Sequence, residues 1–363
     1  MEWLLLGAGV VLAFANGAND NVKGVTTLYG SAQLGYRRAL ALATASQIGG
    51  SLASVVLATT LVKAFSGKGL VPPELLSAEL LAAVAMGAAV TVGLATRIGL
   101  PISTTHAIVG ALVGAGAVAA GSALNLGALG AAFVLPLAVG PLLAVALAWA
   151  FARGGSAAGS ALGLARGDCV CIEPELSANA DGSASLARAA LRVELAEASK
   201  CVAHSDTRLA GVEVERALRA GHVLSATTVG FARGLNDTPK ILGLMVGASV
   251  IAPVLGALVV GAAMALGGVL AARRVADTLA LRITPMHNGQ GLAANLATSL
   301  LVIGASRLGL PVSTTHVSTG GIFGIGAAAG TLHHRAAGEI LFAWLGTLPL
   351  AAGLGALLAW SLG

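Results

Sequence analysis

Gly99-Leu100-Pro101-Ile102-Ser103-Thr104-Thr105-His106 returns later in the chain as Gly309-Leu310-Pro311-Val312-Ser313-Thr314-Thr315-His316. Only the Ile/Val position differs. Proline is at home in the first turn of a helix, and serine or threonine caps a helix start by accepting from a free backbone N–H. Each copy therefore predicts the beginning of a half-helix whose first amides and hydroxyls point at whatever lies in front of it. Helix N-termini carry partial positive charge, so such an end is a cradle for an oxyanion that needs no formal charge. The alternative is that these hydroxyls serve only helix packing in lipid.

A second pair of motifs stands upstream of the first in each half. Phe14-Ala15-Asn16-Gly17-Ala18-Asn19-Asp20 matches Gly230-Phe231-Ala232-Arg233-Gly234-Leu235-Asn236-Asp237. Two motifs recurring in the same order mark an internal duplication. Each Asn-Asp ends a short apolar run. A carboxylate at membrane depth is expensive and is by default a functional-site hypothesis. With amide oxygens beside it, it suits Na⁺; alone, it can carry a proton. It can also cap a half-helix.

The sequence around these motifs is that of a membrane protein. Of 363 residues, 56% are hydrophobic and 10% charged, against about 25% charged in a soluble domain. Mean hydropathy is +0.87. The apolar runs are rich in Leu and Ala and approach the roughly 20 residues that span a bilayer, which predicts helices rather than a β-barrel. Fifty glycines suit close helix packing. Five segments are read in the first half (3–18, 38–62, 78–98, 101–121, 126–151) and five in the second (222–235, 241–271, 288–306, 311–331, 338–362). The first run begins at Trp3 without a basic leader and flows into a polar motif, so it reads as a membrane segment rather than a cleaved signal. The expected fold is an all-α polytopic membrane protein. It has two inverted-topology repeats of about five membrane segments each, with broken or re-entrant helices. The repeats cover 1–151 and 222–363, joined by a polar linker at 152–221.

An odd number of segments per half turns the second half upside down. With the N-terminus outside, Arg37, Arg38, Arg97, Arg153, the basic residues of the linker, Arg273, Arg274, Arg282 and Arg335 all face the cytoplasm, and only Lys63, Lys68 and Arg307 face outward. That is a positive-inside distribution, with both termini outside and the linker cytoplasmic. It accounts for the net charge of +5 without a nucleic-acid partner. Within the linker, Leu186 to Leu218 has Glu194, Glu197 and Lys200 at helical spacing and predicts amphipathic helix. Cys169, Cys171, Cys201 and His204 are of the right types for a metal site, though a cytoplasmic thiol needs no partner.

The duplicated Gly-Ala-Asn-Asp and Pro-x-Ser-Thr-Thr-His motifs resemble those of the PiT family of inorganic phosphate transporters, also called the Pho4 superfamily. The likeness covers nearly all of both halves but not the linker. It implies an integral protein of a bacterial or archaeal plasma membrane that imports phosphate by symport with Na⁺ or H⁺. By position, Asp20 and Asp237 would couple the cation, supported by Asn19 and Asn236. Ser103, Thr104, Thr105, Ser313, Thr314 and Thr315 would bind phosphate. Read from the motif alone, His106 and His316 could donate to the anion, carry a proton or, the favoured reading, tie the hairpin together. Some family members move sulfate instead.

The departures fall on the cation. The family often continues its motif as Val-Ala-Asn-Ala. Here the copies read Asn21-Val22-Lys23-Gly24 and Thr238-Pro239-Lys240-Ile241, with lysine where asparagine is expected in both. Lys23 and Lys240 could occupy the place of Na⁺, meet the phosphate, or snorkel to opposite interfaces. Asn295 stands where many relatives have glutamate, leaving Gln290, Asn295, Thr298 and Ser299 as polar candidates on that helix. No cofactor is expected, and a homo-oligomer is compatible with the sequence. An anion channel keeps the fold but has no need of a closed site. A Ser103–His106–Asp triad would make an enzyme, but duplication favours binding.

Overall fold

A computed structural model describes residues 1–67, 69–163, 168–178, 184–197, 210–247 and 250–362. The first half contains α1 (Glu2–Asp20), a 3-10 turn (Asn21–Gly24), α2 (Thr26–Gly30), α3 (Tyr36–Leu57), α4 (Thr59–Ala64), α5 (Ala78–Ile98) and α6 (Thr104–Ala120). It closes with α7 (Leu126–Leu129), which runs through a π turn (Gly130–Val134) into α8 (Leu135–Ala161). The second half contains α9 (Val214–Gly247), α10 (Pro253–Ala271), α11 (Arg273–Asp277), α12 (Asn288–Leu308), α13 (Thr314–Ala329) and α14 (His334–Leu362). Among the described residues, seven helices are long and apolar enough to cross a membrane: those that include α3, α5, α6, α8, α10, α12 and α14.

The exterior is as apolar as much of the interior, and a cluster of charges is buried. Trp3, Phe342 and Leu345 are 85%, 78% and 77% exposed, while Asp20, Lys23, Arg233, Asp237 and Lys240 are buried. Apolar side chains facing outward and backbone groups paired within helices are what a hydrocarbon solvent demands.

The octapeptides form breaks between helices. Helix α5 stops at Gly99 (φ 77°), with the Leu100 amide donating back to Ala95 O, and α12 stops the same way at Gly309 (φ 70°), with Leu310 donating to Ala305 O. Glycine supplies the left-handed residue of this C-cap. The proline follows, and Ser103 and Ser313 then stand in extended conformation as N-caps of α6 and α13. A one-residue-type rule at each position thus stops one helix, crosses a short gap and starts the next.

The halves are interleaved rather than set side by side. Helix α1 packs on α10 and α9 packs on α3, so each Asn-Asp helix lies on the other half's second helix. The last helices are exchanged too: α14 packs on α6 and α5, while α8 packs on α13 and α12. Glycines permit these approaches. A Cβ on Gly50 would meet the Phe231 carbonyl oxygen, and one on Gly234 would meet that of Gln47, so α3 and α9 interlock backbone to backbone.

Two expectations need correction. The segments read at 222–235 and 241–271 are not divided at the Asn-Asp motif: α9 runs unbroken through Asn236, Asp237 and Pro239, and the chain turns only before α10. The first copy does break, because α1 ends at Asp20 and gives way to the 3-10 turn. In the linker, where amphipathic helix is expected over Leu186–Leu218, the described residues up to Glu197 and from Ala210 to Glu213 are instead strands of a three-stranded antiparallel sheet of order β2-β1-β3, and those from Val214 are helical. Its strands are β1 (Asp168–Ala178), β2 (Ala184–Glu197) and β3 (Ala210–Glu213). Leu191-Arg192-Val193-Glu194-Leu195 alternates apolar and charged residues with a period of two, and this outweighs the helical spacing of Glu194 and Glu197. In register, Cys169 is opposite Ala196 and Cys171 opposite Glu194.

Candidate functional site

Asp20 is the last residue of α1, and Lys23 follows on the 3-10 turn. The Lys23 ammonium contacts the Asp20 carboxylate in a fully buried ion pair. It also donates to Asn19 Oδ1 (3.2 Å), Ile102 O (3.4 Å) and Thr315 Oγ1 (2.5 Å). In the second half, Lys240 Nζ pairs with Asp237 Oδ1 (3.1 Å) and donates to Thr105 Oγ1 (2.8 Å) and Val312 O (2.7 Å). Ile102 and Val312 are equivalent positions of the two octapeptides, as are Thr105 and Thr315. Each lysine therefore holds its own half's octapeptide by a carbonyl and the other half's by a threonine.

The threonines close the crossing. Thr315 Oγ1 donates to Ile102 O (2.7 Å) and Thr105 Oγ1 to Val312 O (3.3 Å). Asn19 and Asn236 anchor the motif to the helix before the break: Asn19 Nδ2 donates to Thr96 Oγ1 (3.0 Å), and Asn236 Nδ2 to Ser306 Oγ (2.7 Å). Asn19 Oδ1 additionally accepts from the Ile102 amide (3.1 Å). Asn236 Oδ1 is buried without a partner.

A third cation joins them. Arg233 on α9 is buried, with Nη2 donating to Asn16 Oδ1 (2.6 Å), Nη1 to Asn21 Oδ1 (3.0 Å), and Nε 3.5 Å from Asp237 Oδ2. Asn16 Nδ2 in turn reaches Thr104 Oγ1 (3.0 Å) and Asp20 Oδ2 (3.3 Å). Thr314 Oγ1 donates to Asp237 Oδ2 (3.2 Å). Among the described residues, Lys23, Arg233 and Lys240 thus confront only Asp20 and Asp237, so with all five ionised one positive charge is uncompensated. A charge at the centre of a membrane helix costs on the order of 2.5–3.5 kcal/mol even on the lenient translocon scale. Such a group is retained for a task, and surplus positive charge at that depth is suited to receiving an anion.

The half-helices point the same way. Ser103 Oγ and Ser313 Oγ accept from the amides of His106 (3.0 Å) and His316 (3.1 Å). The first in-helix bonds are made by Ala107 and Val317, so the amides of Thr104, Thr105, Thr314 and Thr315 precede both helical ladders. The two histidine rings lie against each other with centroids 4.4 Å apart. His316 also stacks on Trp344 at 3.8 Å, and Trp344 Nε1 donates to Pro101 O (3.1 Å).

The ten motif residues Asn19, Asp20, Lys23, Thr104, Thr105, Asn236, Asp237, Lys240, Thr314 and Thr315 are therefore brought together. The two serines work as caps at the edge. Asn295 does not join them: it bonds Thr27 Oγ1 (2.9 Å) and Ser225 Oγ (3.3 Å) in a separate polar network with His222. Thr298 and Ser299 bond backbone carbonyls of their own helix, and Gln290 forms a capping box at the start of α12. Of the linker residues considered for a metal, Cys169 and Cys171 lie on β1, while Cys201 and His204 lie outside the described residues. Among the described residues no cluster of His, Cys, Asp or Glu is arranged to hold a metal ion. The motif pairs did not single out Arg233 or Asn16, which are symmetry counterparts of different chemistry. The available signal was an arginine inside an apolar run, four residues before a membrane aspartate.

Comparison with known proteins gives a consistent picture. The model of the phosphate transporter family matches residues 16–355. A probable low-affinity inorganic phosphate transporter of Mycobacterium bovis is 27% identical, over 94% of this chain and 73% of its own. A putative phosphate permease of Thermococcus kodakarensis is 27% identical, over 98% and 97%. A solved structure described as the sodium-dependent phosphate transporter superposes with a TM-score of 0.76 at 22% identity, covering 99% of this chain and 98% of that one. At that identity the superposition establishes the fold.

Proposed function

Since the chain belongs to the phosphate transporter family, and is a transporter rather than an enzyme, we propose that it imports inorganic phosphate by cation symport through alternating access. The observation that carries this reading is the surplus positive charge of the buried cluster, set between the N-termini of α6 and α13. A tetrahedral oxyanion has acceptors on every side and can take the Thr104, Thr105, Thr314 and Thr315 amides and hydroxyls, with Arg233 as the charge partner. Lys23 and Lys240, buried beside it, balance the charge of Asp20 and Asp237. Asp20 and Asp237 are the coupling carboxylates, with H⁺ or Na⁺ as the coupled ion.

The closed network supports alternating access in one respect. The two halves are bolted together by side chains that cross between them, Lys23 to Thr315 and Lys240 to Thr105. Phosphate engaging the Thr105 and Thr315 hydroxyls would draw them off the lysines, release those crossings and let the bundle rearrange. The basic residues support both termini outside and the 152–221 linker in the cytoplasm, in a plasma membrane.

Purified protein in proteoliposomes should take up labelled phosphate, and Asp20→Asn or Asp237→Asn should abolish coupled uptake. Uptake unchanged in both variants would contradict the mechanism.

A further inference from the structure

The surroundings of the two ammonium groups are those of a metal cation. Lys23 Nζ is enclosed by one carboxylate oxygen, one amide oxygen, one backbone carbonyl and one hydroxyl, from Asp20, Asn19, Ile102 and Thr315. Lys240 Nζ has a carboxylate, a carbonyl and a hydroxyl from Asp237, Val312 and Thr105. A shell of mixed neutral oxygens around one carboxylate, beside an unwound backbone carbonyl, is how transporters hold a small monovalent cation, and the Lys23 shell also lies at the C-terminal end of α1, whereas that of Lys240 lies within the continuous α9. Four oxygens already face the three N–H donors of Lys23, which leaves that ammonium nothing further to offer an anion.

We infer that Lys23 and Lys240 are tethered cations that permanently fill the two places a transported Na⁺ would take, so that this chain moves phosphate without Na⁺. This rests on the phosphate-import reading and assigns its coupling to H⁺. The charge argument agrees. An ammonium and a sodium ion each contribute one positive charge, so two lysines give Asp20 and Asp237 the neutralisation that two bound ions would give, and Arg233 still supplies the surplus. The difference is covalent: a tethered charge moves with the helix and cannot be released on the far side, so it stores no ion gradient. The two cages are not identical. Asn236 Oδ1, the counterpart of the Asn19 oxygen that accepts from Lys23, has no partner. By its equivalence to Asn19, Asn236 would supply the further oxygen for an ion once Lys240 is shortened.

The experiment is the initial rate of labelled phosphate uptake into proteoliposomes under a fixed inward pH gradient, with sodium chloride or choline chloride outside. The wild type should show no loss of rate in choline. Lys23→Asn and Lys240→Asn should become Na⁺-dependent, losing at least about tenfold in choline, equivalent to about 1.4 kcal/mol of ion binding. A wild-type rate that collapses without Na⁺ overturns the inference and leaves phosphate transport standing. Folded, active variants that remain indifferent to Na⁺ overturn it as well. No phosphate uptake in either salt contradicts the phosphate reading itself. Should a variant fail to fold, the wild-type comparison decides alone.

Discussion

Arg233 is the residue on which the charge balance of the site turns. Its guanidinium bridges Asn16 and Asn21 of the opposite half while lying beside Asp237 of its own. A lysine is a single point charge and cannot span both amides, so Arg233→Lys leaves at least one buried carbonyl oxygen unpaired, a cost of about 1–3 kcal/mol. We expect this variant to keep its net charge and its fold, as judged by size-exclusion chromatography, yet lose at least about tenfold in phosphate uptake. Full uptake would remove Arg233 from the site. At this scale the sequence was readable where it repeats. Asn19 and Asn236, Asp20 and Asp237, and Lys23 and Lys240 announce themselves as pairs, and the structure brings each pair to the same crossing. It was silent where the repeat is broken: Asn16 and Arg233 occupy equivalent positions with unlike chemistry, and only three-dimensional contact shows that they bond each other.

Among the elements, the octapeptides are the most legible. Gly, Pro, Ser and Thr each carry a local conformational rule, and the caps at Gly99, Ser103, Gly309 and Ser313 follow those rules without help from tertiary packing. The Asn-Asp motifs are less legible, because nearly the same local sequence unwinds after α1 and stays helical through α9. Helix α9 is clasped by α3, with Gly50 against the Phe231 carbonyl and Gly234 against that of Gln47. The linker sheet was hidden because short alternating runs and short helical spacings overlap in an Ala- and Glu-rich stretch. The clasp itself can be tested. Gly50→Val places a side chain on the Phe231 carbonyl, and overpacking of this kind costs about 1–3 kcal/mol. The detergent-solubilised variant should melt at lower temperature than wild type, whereas Gly304→Ala, which meets nothing within 4 Å, should not. Equal melting of both would mean that α3 and α9 do not interlock as described.

For the molecule as a whole, sequence halves and packed bundles are different divisions. Helix α14 completes the group around α5 and α6, and α8 completes the group around α12 and α13. Rocking of one sequence half against the other would tear both groups apart. Two bundles with exchanged terminal helices can move against each other with those two groups intact, and the crossings Lys23–Thr315 and Lys240–Thr105 lie where they must part. Duplication was legible from the motif pairs; the exchange was not, since nothing in an apolar helix names its neighbour. A transporter of this kind differs from a channel in being able to work uphill. The most direct measurement is the steady-state level of labelled phosphate inside wild-type proteoliposomes under an imposed inward pH gradient. Accumulation above the external concentration, collapsing when a protonophore is added, is the predicted result. Simple equilibration to the external level, insensitive to the protonophore, would contradict it.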